Sequence, residues 1–184
     1  ISVVAEPANS ISNPKWIGED FEAGEWTMDL DAALAKAKSA TARTYTLAVV
    51  GGDSMEPHLT NGDIVLYFRM ARKYQPGDVI SIRVPSGDYY VKRVAAVGGD
   101  EVLVRDGEVY VNGELFQDAW ARGETRQENG AVIYPYRVRE GNVFVLGDNR
   151  EVSMDSRAFG EVNRRQNKGR LLFSIRKGHL EKVV

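Results

Sequence analysis

The stretch "YYVKRVAAVGGDEVLVRDGEVYVNGE", residues 89–114, decides the fold. Three short runs, YYVKRVAAV, EVLVR and EVYV, are rich in Val and Tyr, which suit a pleated, half-buried surface. GGD at 98 and RDGE at 105 separate them, and NGE follows at 112. Asp-Gly and Asn-Gly between alternating runs are strong hairpin signals. The same grammar extends outward to YTLAVV at 45, DIVLYFRM at 63, DVISIRV at 78, VFVLG at 143 and RLLFSIR at 170. NGD at 61, QPGD at 75 and PSGD at 85 punctuate them. From Tyr45 onward the chain therefore reads as mostly β, with coiled, partly closed antiparallel sheets.

The remainder reads differently. Residues 1–28 mix Asn, Pro, Gly and acidic residues around Trp16 and Trp26 and are expected to be irregular. TMDLDAALAKAKSATAR is the one good helix, capped by Asp29, with Leu30, Ala33, Leu34 and Ala37 at helical spacing. Residues 1–44 thus form an N-terminal helical extension and 45–184 a β domain. Residues 117–140 are polar and turn-rich and are expected to form a flexible loop.

Composition narrows the function. A chain of 184 residues suits one core-bearing domain with a small appendage. A net charge of −2 gives no electrostatic argument for nucleic acid. The chain has no cysteine, so a thiol nucleophile, a disulfide framework and a thiolate metal site are excluded. The apolar run LAVV at 47–50 is far short of the roughly 20 residues of a membrane span. The first residues lack the basic and apolar regions of a signal peptide. The two histidines, His58 and His179, have no metal-ligand spacing, so neither metal nor cofactor is expected. His58, close to a turn, reads as an exposed loop residue.

Three segments could carry chemistry. In VVGGDSMEPHLTNGDIVLYF, residues 49–68, a strand stops at two glycines and offers Ser54 on a turn shaped by Pro57. Local pattern alone favours an ordinary loop serine. In YYVKRVAAV, Lys92 stands among Tyr90, Val91 and Val94, with Arg93 on the opposite face. Lys92 is either a snorkelling surface residue or a desolvated base. VFVLGDNREVSMDSRAFG, residues 143–160, packs Asp148, Asn149, Arg150, Ser153, Asp155, Ser156 and Arg157 behind an apolar strand.

Together these segments resemble the bacterial type I signal peptidases. GDSMEPHLTNGDIVLY is similar to that family's S-M-x-P-T-L nucleophile motif. YYVKRVAAVGGDEV is similar to its lysine motif, and GDNREVSMDSRAFG to its G-D-N-R-x-x-S-x-D-S-R-x-x-G motif. The resemblance covers about residues 45–184 and implies the coiled β fold shared with the SOS repressors. It implies endoproteolysis by a Ser54–Lys92 dyad that removes signal peptides from preproteins after Ala-x-Ala. Ser153 would orient the lysine amine, and Asp155, Arg157, Asp148 and Arg150 would brace the site. Val49, Val50 and Gly51 on one edge and Tyr89, Tyr90 and Val91 on the other would clamp an extended substrate.

There are departures. His58 stands where the family usually has Thr. Gly52 stands where Gram-negative members often carry a hydroxyl that helps hold the oxyanion, a Gram-positive-like trait. Residues 1–44 stand where members carry a membrane anchor, so either the anchor was removed or replaced or this is an unusual soluble member; the resemblance implies a place at the outer face of the bacterial cytoplasmic membrane. Two other readings stay open: a self-cleaving SOS-repressor-like protein, and a non-catalytic assembly chaperone that would lack Ser54 or Lys92.

Overall fold

The computed structural model describes residues 2–11, 45–71, 73–84, 86–128, 132–163 and 165–183. Its strands are β1 Ser2–Ile11, β2 Tyr45–Gly51, β3 Ile64–Phe68, β4 Val79–Arg83, β5 Tyr89–Val97 and β6 Glu101–Arg105. They continue with β7 Glu108–Val111, β8 Glu114–Leu115, β9 Tyr136–Arg137, β10 Val143–Leu146, β11 Asn167–Arg176 and β12 His179–Lys182. One short helix, α1, spans Ser156–Phe159. The protein is mostly antiparallel β, as the turn-punctuated runs predict. The expected helix falls in residues 12–44, outside the described residues.

The larger sheet runs β1-β2-β3-β11-β4-β5-β10, with β12 on β11, and β1 also meets β5. That last pairing, Ser2 opposite Tyr90, brings β1 at one end of the path back against β5, the next-to-last strand at the other. The residues before position 12 are thus in part a strand, where the sequence reads as irregular. Val3 and Val4 pair with Val50 and Val49, so the otherwise open edge of β2 supplies backbone partners. The smaller sheet runs β8-β7-β6-β9.

Alternation within the strands builds several buried clusters. Ala48, Val50, Val65, Val79, Val91 and Leu171 form one with Met55 and Leu59. Ile80, Ile82, Val94, Val143, Val145 and Val162 form another. Each fully buried aliphatic side chain contributes about 1.5–3 kcal/mol. Met55 and Leu59 matter most for function, because they belong to the loop between β2 and β3 and fasten it to the core.

The described parts of 117–140 are tied to the rest. Arg122 bridges to Asn149, β9 pairs with β6, and Thr125, Val132 and Val138 are buried.

Candidate active site

Ser54 owes its place to the residues around it. Gly52 has φ 86°, in the left-handed region that favours glycine, and its N–H donates to Asn61 Oδ1 at 3.1 Å. Gly62 N–H donates to Val50 O, and Leu59 N–H to Met55 O, each at 2.8 Å. With Met55 and Leu59 held in the core, the intervening turn has little freedom. Ser54 is only 4% exposed.

Lys92 reaches it from β5. Its Nζ donates to Ser54 Oγ at 2.6 Å and to Val91 O at 3.0 Å. Lys92 is 0% exposed, so the snorkelling alternative is overturned: the strand is buried on both faces and leaves the ammonium no route to water. Burial pushes its pKa from 10.5 down to about 8; Asp155 and Asp148 oppose the fall and Arg157 adds to it. That fall raises the neutral fraction at pH 7 by about 300-fold, to roughly one molecule in ten. A neutral amine 2.6 Å from a hydroxyl can take its proton.

The turn after β10 frames the pair. Asn149 N–H donates to Ser54 O at 3.0 Å. Gly147 permits this approach: a Cβ there would lie 2.1 Å from Ser153 Oγ and 2.6 Å from Ser54 O. The same figures make Ser153 a neighbour of the nucleophile's backbone. Ser153 Oγ is buried with no hydrogen-bond partner, while Lys92 Nζ bonds Ser54 Oγ and Val91 O.

Asp155 and Arg157 form a two-pronged ion pair, Nε to Oδ1 at 2.8 Å and Nη2 to Oδ2 at 2.9 Å. Gly147 N–H also donates to Asp155 Oδ2 at 3.0 Å, and Arg157 Nη2 donates to Arg150 O at 2.7 Å. Asp155 caps α1 as well, accepting from Arg157 N–H. Arg150 donates to Gly147 O at 2.9 Å, to Thr125 Oγ1 at 3.0 Å and to Asp118 Oδ2 at 2.5 Å.

Arg93, the neighbour of Lys92, clamps both oxygens of Asp148 at 2.8 Å. Asp118, Thr125 and Arg122 therefore belong to the frame, although their polar segment has no sequence period to reveal it. His58 is a correction. The turn carries it inward, and it is buried at 6% exposure, stacked on Trp120.

Tyr90 Oη lies 3.9 Å from Met154 Sδ, which places the start of β5 beside the 151–155 segment. The edges Val49, Val50 and Gly51 pair with β1, as does Tyr90, while Tyr89, Tyr90 and Val91 also pair with β4. An open cleft of about 340 Å³ between Arg83, Gly87, Arg165 and Lys168 contains neither Ser54 nor Lys92.

A buried serine against a buried lysine on a coiled β-sheet is an arrangement suited to a serine hydrolase. Comparison with known proteins says which kind. The family model described as "Signal peptidase, peptidase S26" matches residues 25–175. Signal peptidase I of Bacillus licheniformis is 33% identical over 147 residues, 72% of this chain and 77% of that one. Signal peptidase IB of Staphylococcus aureus is 30% identical over 166 residues, 81% of this chain and 87% of that one. A crystal structure of signal peptidase I from Enterococcus faecalis aligns with a TM-score of 0.43 and 28% identity, over 53% of this chain and 96% of that one. The chain belongs to the signal peptidase family, peptidase S26, and is a hydrolase.

Proposed function

We propose that this chain removes N-terminal signal peptides from preproteins by a Ser54–Lys92 dyad, cutting after Ala-x-Ala, at the outer face of the bacterial cytoplasmic membrane. The observation that carries the reading is the 2.6 Å contact between Lys92 Nζ and Ser54 Oγ in a buried setting. Ser54 Oγ attacks the carbonyl at the −1 position as Lys92 takes its proton. The backbone N–H of Ser54 stabilises the oxyanion, and Gly52 lets the chain bend close to it. Lys92 then passes the proton to the leaving amine. Water hydrolyses the ester left on Ser54, with Lys92 again the base. Ser153 would hold the amine on line during these transfers, a role open to a buried hydroxyl free of other bonds.

Residues 45–184 would carry this chemistry, with 1–44 as an extension. An extended substrate would lie between Val49–Gly51 and Tyr89–Val91 and add as a strand. β1 lies along that edge of β2, so substrate takes the edge by displacing it. Exposed Val152 and Met154 flank Ser153 and offer an apolar rim to a signal peptide and to the lipid surface beside it. Among the described residues no helix is long and apolar enough to cross a membrane.

Family membership favours this reading over a self-cleaving repressor, and the presence of both Ser54 and Lys92 favours it over a non-catalytic chaperone. A precursor-peptide panel followed by mass spectrometry tests it. Alternate side chains of an extended peptide share a face, so −1 and −3 face the same wall. Replacing the −1 Ala by Leu should nearly eliminate turnover. Changes at −2 should cost about tenfold or less, within ~1.4 kcal/mol. Equal tolerance of bulky residues at −1 and −2 would sink the specificity.

A further inference from the structure

His58 has no part in the chemistry above, yet it sits at the junction of three elements. Its ring lies over Trp120 with centroids 4.2 Å apart and planes 11° from parallel. Its Nδ1 is 2.7 Å from Arg93 Nη2 and 3.7 Å from Asp148 Oδ2. Its carbonyl accepts from Arg176 Nη2 at 2.6 Å, and Arg176 is paired with Asp63. Asp118 lies 3.6 Å from Arg93 Nε and binds Arg150 on its other oxygen. The charged groups facing the ring and its partners are therefore Arg93 from β5, Asp148 from the turn after β10, Asp118 from the 117–122 segment, and Arg176 with Asp63 behind the loop.

The chemistry of the contact fixes the proton. A guanidinium has five donors and no acceptor. At 2.7 Å, Nδ1 can only be accepting, so the ring is neutral and carries its proton on Nε2. Arg93 thereby has two neighbours for Nη2, His58 Nδ1 and Asp148 Oδ2. Arg93 follows Lys92 in β5, and Asp148 precedes the residue whose N–H holds the Ser54 carbonyl. What Arg93 grips, both halves of the dyad feel.

We propose that His58 is a positioning residue for the Ser54–Lys92 pair: its Nδ1 accepts from Arg93 Nη2 and holds that guanidinium against Asp148. Without that acceptor Arg93 Nη2 keeps only Asp148 Oδ2 of the two. The Lys92 strand and the turn against Ser54 then lose a shared clamp, and the enzyme slows even where the dyad is otherwise competent. This inference rests on the dyad reading for its kinetic readout.

The test is kcat and KM for precursor-peptide cleavage at pH 8, with the full chain and two variants. His58→Asn keeps an oxygen acceptor near the Nδ1 position. His58→Phe keeps a ring over Trp120 and has no acceptor. His58→Asn should stay within about threefold of the unmodified protein in kcat. His58→Phe should lose about tenfold or more in kcat, with KM moving less than about twofold. A His58→Phe variant as active as the unmodified protein, or a His58→Asn variant as impaired as His58→Phe, would overturn the proposal. Imidazole nitrogen NMR gives a readout independent of cleavage. The chain has two histidines, so the His58 ring can be assigned by its absence in His58→Asn. Nδ1 should be unprotonated and Nε2 protonated at pH 8. The opposite tautomer would refute the lock even if the dyad reading itself stood or fell.

Discussion

Ser54→Ala and Lys92→Ala should each reduce peptide cleavage by about 10⁴-fold or more, and the double variant should be no slower than the slower single one. Nucleophile and base act as one unit, so once either is gone the other has nothing to do. Steady-state cleavage of an Ala-x-Ala precursor peptide, with circular dichroism to verify the fold, measures this. A double variant far slower than both singles would mean that the two residues work independently. Lys92→Met controls for folding. Burial lowers the folded pKa of Lys92 below its unfolded value. Keeping the group inside therefore costs stability fully below pH 8, and the cost fades as pH rises to 10.5. A drop of that size corresponds to about 3 kcal/mol. Lys92→Met should accordingly be folded, inactive and at least as stable as the unmodified protein at pH 7.

The second large effect is structural. Asp155→Ala should cost about 3–5 kcal/mol, because it strands the Arg157 guanidinium without its counter-charge. Asp155 is 0% exposed and Arg157 1%, so water cannot stand in for the lost carboxylate. The variant also loses the α1 cap and the acceptor for Gly147 N–H. In a chain of this size each kcal/mol moves the midpoint by about 2–4 °C, so Tm should fall by roughly 10 °C. Asp155→Leu with Arg157→Met should recover much of that, since neither charge is then buried. Thermal unfolding of the unmodified protein and the two variants decides the matter. A loss under about 1 kcal/mol in Asp155→Ala would show that the pair does not hold the frame.

The sequence revealed what has a period. Eight strands could be read because Val and Ile alternate along them and Gly-containing turns bound them. β8 and β9, at two residues each, are too short to show alternation. β12 follows Lys177 and Gly178, both at positive φ, but its run HLEK offers a single aliphatic residue. β1 carries Pro7 and Asn9 and has a strand's pairing only because β2 has an edge to fill. Ser54, Lys92 and the 148–157 cluster stood out as motifs. Their supports did not. Asp118 meets Arg150 across 32 positions, and Arg93 meets Asp148 across 55. Contacts of that kind leave no local signature. His58 shows the limit best: turn proximity suggests an exposed residue, while the buried anchors Met55 and Leu59 on either side of the Glu56–His58 segment draw it inward.

The central claim is that burial brings the Lys92 pKa down to about 8, so that its neutral form is available near physiological pH to serve as the base for Ser54. Its side-chain nitrogen can be followed directly by NMR from pH 6 to 12, with Lys92→Met to assign the signal. The account predicts a midpoint of about 8, with kcat/KM rising through the same range and levelling above it. A midpoint near 10.5, the ordinary lysine value, would leave Ser54 without a base and contradict the account.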